Sequence, residues 1–255
     1  LPLLHRPQAA AIMGFDGIEI QFPYELPALR LREVLARAEM PLVLINLPAA
    51  DLIQGGAGLA AVPSRQEAFR VALEEALTYA AVARPFCVNV LAGRLPEGVS
   101  RAEALDTLAD NLRLAAQAFD TLGIRVLCEA INPLDMPGFL INTPQQLDEL
   151  LRQVDQPNCL AQLDIYHLAR QELDVAAGID LLKGRIGHVQ FADCPGRGAP
   201  GTAQVDFSIA LETLAAAGYT GWFGAEYNSH SLRIEDYRWL ASWRSAWERL
   251  QFEAR

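Results

Sequence analysis

Residues 160–167 read LAQLDIYH. The run is apolar, with branched and aromatic side chains, and lies between Asn158 and a helix-like segment; that is the pattern of a buried strand. It nevertheless carries Asp164 and His167 near its C-terminal end, where a bare charge in an apolar core is costly. A capping Asp beside a satisfied core His explains one such strand as well as a functional site does. The other strands have to decide.

Similar runs recur along the chain: GIEIQF (17–22), LVLINL (42–47), CVNVLAG (87–93), IRVLCEAIN (124–132), IGHVQFADC (186–194) and WFGAEYN (222–228). Helix-period segments separate them. Ser64-x-x-Glu67, Ser100-x-x-Glu103 and Thr143-x-x-Gln146 read as capping boxes, the last with Pro144 at the first helical position. Asp206 reads as a further N-cap, and Gly123 and Gly218 as helix C-terminal residues. Strict strand–helix alternation predicts a parallel α/β architecture, either a doubly wound sheet or a barrel. No G-x-G-x-x-G follows the first run, which weakens dinucleotide binding, and 255 residues match the ~250 of a (β/α)8 TIM barrel. Only seven strands are counted, because LPLLHRPQAAAIMGF (1–15) reads as a helix. The expected fold is therefore a (β/α)8 TIM barrel whose first strand is missing from this chain. With no linker or low-complexity tract, residues 1–255 read as one domain.

Composition removes several function classes. The net charge is −10, which argues against a nucleic-acid partner. No stretch approaches the roughly 18 apolar residues of a membrane span, and none reads as a signal peptide. Lys183 is the only lysine and precedes a strand, so a Schiff-base mechanism is disfavoured. Cys87, Cys128, Cys159 and Cys194 lack C-x-x-C spacing and read as free thiols in a reducing, cytoplasmic setting. The tail, residues 232–255, places Trp239, Trp243 and Trp247 four apart on a helix. That stripe fits packing against the barrel, with a subunit contact in a homo-oligomer as the other reading.

Most of the runs carry one polar group among apolar neighbours: Glu19, Asn46, Asn89, Glu129, Asp164, Gln190 and Glu226. In a parallel barrel the C-terminal strand ends open onto one face. Three carboxylates and an amide from four consecutive strands, Glu129, Asp164, Gln190 and Glu226, would converge there. Such acids repel one another and either protonate, pair with arginines or bind a cation. All-oxygen ligands suit a hard divalent ion, Mg²⁺ or Mn²⁺. His188 shares a strand face with Gln190 and would stand behind the ligands. His5 and His230 read as surface residues.

The segments CEAINPLDMPGFLINT (128–143), QLDIYH (162–167), GHVQFADCPGR (187–197) and WFGAEY (222–227) together resemble the hydroxypyruvate isomerase family of xylose-isomerase-like barrels. The resemblance begins at GFDGIEIQFPY (14–24) and covers nearly the whole chain. It implies that Glu129, Asp164, Gln190 and Glu226 match divalent-metal ligands, that Glu129 and Glu226 double as the acid–base pair, and that His167 and Arg197 contact substrate. Asn89 falls at a substrate-facing position where relatives usually have His. Gly198-Ala199 replaces a His-Glu pair, TAQ (202–204) a TGE, and NSHS (228–231) a Pro-containing continuation.

The resemblance thus implies a metal-dependent isomerase of a small hydroxy-keto acid, hydroxypyruvate first. A 2-oxotetronate isomerase or ketose 3-epimerase with the same metal site is the near alternative. A metal-binding barrel without catalysis is the alternative of another class, and a barrel-type endonuclease is disfavoured by the acidic balance.

Overall fold

The computed structural model describes residues 1–229 and 233–253. His230 and the two ends of the 232–255 tail lie outside the described residues. Among the described residues seven parallel strands follow in chain order: β1 (Ile18–Glu19), β2 (Leu42–Asn46), β3 (Cys87–Asn89), β4 (Arg125–Glu129), β5 (Cys159–Asp164), β6 (Ile186–Phe191) and β7 (Phe223–Ala225). Each pairs with the next, in the order β1-β2-β3-β4-β5-β6-β7. The helices are α1 (Arg6–Ile12), α2 (Ala28–Arg37), α3 (Gln66–Ala83), α4 (Arg101–Asp120), α5 (Pro144–Val154), α6 (Ile165–Ala169), α7 (Val175–Leu181), α8 (Phe207–Ala216) and α9 (Trp239–Glu253).

The sheet curls until β1 meets β6 and β7. Glu19 on β1 accepts from His188 and Gln190 on β6, and Gln21 donates to Glu226 just beyond β7. No ladder joins β7 to β1 among the described residues. A cavity of about 1400 Å³ opens at this seam, bordered by Glu19, Gln21 and Glu226 on the barrel side and by Trp239 and Trp243 on the helix side. This is a nearly closed TIM barrel with seven strands among the described residues, the number the sequence runs predict.

Local sequence explains the element starts. Ser100, Thr143 and Asp206 accept from Glu103, Gln146 and Ser208 backbone N–H groups. Gln146 closes its box one residue early, accepting from the N–H of Asn142 rather than Thr143. Ser64 does not cap α3: Pro63 opens a 3-10 turn over Pro63–Arg65, so Ser64 lies inside that turn and Arg65 takes the cap position. The LAQLDIYH strand also ends earlier than its composition predicts. Asp164 caps α6 by accepting from the Tyr166 N–H, and so His167 sits on a helix rather than a strand.

The three tryptophans of α9 turn inward. Trp243 stacks on Phe191 at 4.2 Å between ring centres and meets Phe207 and Phe223 edge-on or tilted, while Trp247 packs on Phe223. The tryptophans are partly buried against the core, and rings in these arrangements add contact energy beyond their area. The stripe is therefore intramolecular packing that fastens α9 over the strands carrying the polar ends.

Candidate active site

Glu129, the last residue of β4, is buried at 4% exposure. Its Oε2 accepts from Gln162 Nε2 at 2.9 Å and from Asn89 Nδ2 at 3.4 Å. Asp164, the last residue of β5, is 1% exposed, and its Oδ1 accepts the Tyr166 N–H at 2.9 Å. Each carboxylate thus has one oxygen tied back into the fold. The other oxygen of each, Glu129 Oε1 and Asp164 Oδ2, is buried with no hydrogen-bond partner.

His167 Nε2 lies 3.6 Å from Glu129 Oε1 and 3.5 Å from Asp164 Oδ2. One potential ligand atom from each of these three residues lies within 4.8 Å of the others. Arg197 Nη2 stands 2.7 Å from Glu226 Oε2 and 3.7 Å from Asp164 Oδ2, with its guanidinium 4.9 Å from the centre of the Tyr166 ring. Glu129, Asp164, His167, Arg197 and Glu226 are therefore one cluster at the C-terminal mouth.

Gln190 borders this cluster. Its register partner is Asp164; its Nε2 donates to Glu19 Oε2 at 2.7 Å and its Oε1 accepts from Gln162. Since a carboxylate only accepts, Glu19 fixes which end of the Gln190 amide carries oxygen. His188 stands on the same strand face, donating Nε2–H to Glu19. Asn89 sits against Glu129 and Asn46, on the floor of the mouth. The polar strand ends form one hydrogen-bonded belt around the barrel interior, from His188 through Glu19, Gln190, Gln162 and Glu129 to Asn89 and Asn46.

Burial of this many acids raises their proton affinity. Burial, then the neighbouring Asp164 and Glu226, pushes Glu129 well above the usual carboxylate range. Burial followed by Asp164 carries Glu226 up to about 7. Asp164 is raised to about 6 by burial, against the opposing pull of Arg197. His167 falls to about 3, through burial and then Arg197, and is neutral. Two neighbouring carboxylate oxygens without hydrogen-bond partners form a pocket that turns anionic as these acids ionise, with Arg197 as the nearby cation. Oxygen donors of this kind fit a hard divalent cation, so the residues present suit such an ion.

Several participants escape a strand-by-strand reading. Gln162 shares the face of Asp164 by the same two-residue period that links His188 and Gln190, and that period was a usable signal. Asp193 is fully buried and accepts three backbone N–H groups, from Cys194, Ala203 and Val205. It ties both ends of the loop presenting Arg197, whose own backbone is left-handed at φ 53. Asn132, in the loop after β4, contacts His167 Nδ1 through Nδ2 at 2.6 Å. No local pattern marks either residue.

Comparison with known proteins places this geometry. Residues 7–249 match the family model described as xylose isomerase-like TIM barrel. Hydroxypyruvate isomerase of Escherichia coli K12 is 36% identical over 94% of this chain and 93% of its own length. The 2-oxo-tetronate isomerase of Pectobacterium atrosepticum is 34% identical over 95% and 93%. A Brucella melitensis crystal structure described as an AP endonuclease, family 2, superposes with a TM-score of 0.90 at 32% identity, covering 95% of this chain and 94% of that one. With the family model spanning nearly every element and relatives at this identity matched end to end, the chain belongs to the xylose isomerase-like TIM barrel family.

Proposed function

We propose that this hydroxypyruvate isomerase-like enzyme interconverts hydroxypyruvate and tartronate semialdehyde (2-hydroxy-3-oxopropanoate), with Mg²⁺ or Mn²⁺ as cofactor. The observation that carries the reading is the pair of buried carboxylates, Glu129 and Asp164, each with one tied oxygen and one free oxygen turned to a common point. Glu129, Asp164, Gln190 and Glu226 would hold the ion. When bound, it supplies Lewis-acid stabilisation of negative charge on the carbonyl and hydroxyl oxygens.

The chain's own groups account for the proton movements. One of Glu129 and Glu226, both with raised proton affinity, removes a proton from C3, and the C–H electron pair moves into C2–C3 to give an enediolate. The other returns a proton to C2 while the C3 hydroxyl proton passes to the C2 oxygen, leaving an aldehyde at C3 and a hydroxyl at C2. Arg197, beside Glu226, pairs with the substrate carboxylate, and its fork suits a bidentate grip. His167 meets a substrate oxygen. Free thiols at all four cysteines suit a reducing cytoplasm.

The test is turnover of hydroxypyruvate with Mg²⁺, with Mn²⁺ and after chelation, together with Glu129→Gln. Activity is expected to vanish on chelation, and to fall roughly 10²–10⁴-fold in the variant. Unchanged turnover in either arm overturns the mechanism. The Pectobacterium relative favours 2-oxotetronate as a second substrate to assay. A ketose 3-epimerase, acting on a neutral sugar, has no use for a carboxylate clamp, so Arg197→Ala should impair acid substrates selectively. A net charge of −10 weighs against a nucleic-acid substrate of the kind named for the Brucella structure.

A further inference from the structure

The loop after β4 sets the orientation of one amide with little freedom. Asn132 is fully buried, and its Oδ1 accepts the backbone N–H of Asp135 at 2.8 Å. Its Nδ2 must therefore face the other way, toward Asp135 Oδ2 at 3.1 Å and His167 Nδ1 at 2.6 Å. Asp135 is itself held by the Tyr166 hydroxyl at 2.7 Å and faces Arg170 at 3.5 Å. Turning the Asn132 amide over would set its oxygen against a carboxylate and its NH₂ against a backbone N–H. An NH₂ group only donates, so the His167 Nδ1 that it meets has to be an acceptor. That leaves the imidazole neutral with its one ring proton on Nε2, the nitrogen that points at Glu129 and Asp164.

We infer that Asn132 is a positioning residue that holds His167 as an Nε2–H donor, keeping it out of the metal's ligand set and available to a substrate oxygen. A protonated Nε2 has no lone pair to give an ion, although its place beside Glu129 Oε1 and Asp164 Oδ2 would suit one. Its distances to those oxygens, 3.5 and 3.6 Å, are longer than a hydrogen bond. The N–H therefore has no committed acceptor among the described residues. A substrate oxygen that gains negative charge in the reaction is the partner such a donor fits. The second half of this inference rests on the isomerase reading; the tautomer does not.

The experiment is long-range ¹H–¹⁵N correlation of the imidazole nitrogens in the full chain, metal-free and with saturating Mg²⁺, with the His167 signals assigned by their loss in His167→Gln. A protonated Nε2 and bare Nδ1 are expected in both states; a protonated Nδ1 in either overturns the proposal. In Asn132→Asp the new carboxylate accepts from Nδ1, the proton is expected to move there, and Nε2 becomes a free ligand. Zn²⁺ affinity should then rise at least tenfold relative to Mg²⁺, and kcat/KM for hydroxypyruvate should fall at least tenfold. Retention of the Nε2–H form in Mg²⁺-loaded Asn132→Asp overturns the role of Asn132. Should that variant not fold, Asn132→Ala is expected to populate both tautomers in the Mg²⁺-loaded protein, and a single unchanged tautomer overturns the role equally. Loss of hydroxypyruvate turnover in a wild-type chain that shows the Nε2–H form would sink the isomerase reading while leaving the tautomer assignment standing.

Discussion

A buried charge has to be answered group by group, and Asp193 and Asp164 answer in opposite ways. Asp193 spends both oxygens on backbone N–H groups and leaves none for chemistry. Asp164 ties one oxygen and leaves the other open. The first is a structural carboxylate serving Arg197; the second is a candidate ligand. In Asp193→Asn, one of the two carboxylate positions becomes an NH₂ facing donors. Retaining Cys194 and Val205 as partners leaves the Ala203 N–H unsatisfied, a cost of about 1–3 kcal/mol. With the loop loosened, kcat/KM for an acid substrate is expected to fall about tenfold, through KM, while divalent-metal affinity measured by calorimetry stays unchanged. At this scale the sequence was half legible. Glu129 and Asp164 stand out because a carboxylate in an apolar run contradicts its surroundings. Asp193 does not, since its partners ten and twelve residues away exist only once the loop has closed.

At the scale of elements, polarity at the strand ends was readable but strand length was not. Six of the seven strands among the described residues lie within the apolar runs and β5 starts one residue ahead of its own, at Cys159, yet GIEIQF yields a two-residue β1 and LAQLDIYH gives up its last three residues to α6. The reason is capping and pairing. A side chain that satisfies a helix start outweighs local β preference, and β1 has a ladder on one side only. Side chains replace the missing ladder on the other side, and Gly224 on β7 makes room for them. A Cβ there would fall 2.0 Å from Glu19 Oε1. Gly224→Ala therefore has to expel Glu19 from its bonds to His188 and Gln190. Losing hydrogen bonds to a charged group costs about 1.5–3 kcal/mol each, and each 1 kcal/mol lowers Tm by about 2–4 °C in a domain of this size. Calorimetry should show a Tm several degrees lower. Because Glu19 also orients the Gln190 amide, the same variant should bind Mn²⁺ more weakly.

Over the whole molecule, the acids of the mouth set how stability responds to pH and to metal. Glu226 is raised from the usual 4.5 to about 7, and Glu129 is raised as well. For such a group the folded state binds more protons than the unfolded one between the two pKa values, so stability falls as pH rises through that window. His167, lowered to about 3, works in the opposite sense, but only below its unfolded value near 6.5. Above pH 6.5 less than half of the unfolded chains carry that proton, and its opposing contribution fades over about the next pH unit. Between pH 6.5 and 8 the metal-free chain is thus expected to lose stability as Glu129 and Glu226 shed their protons into a pocket with two unpartnered oxygens. A divalent ion reverses the sign, because it binds the ionised carboxylates and stabilises only the folded state that assembles them. Thermal unfolding of the metal-free protein should give a lower Tm at pH 8 than at pH 6.5, and saturating Mn²⁺ should raise Tm by more at pH 8. In Glu129→Gln, which cannot ionise there, both the pH dependence and the Mn²⁺ increment should shrink. A metal-free Tm that rises over this window, or a Mn²⁺ increment larger at pH 6.5, would show that these carboxylates are already ionised in the empty pocket.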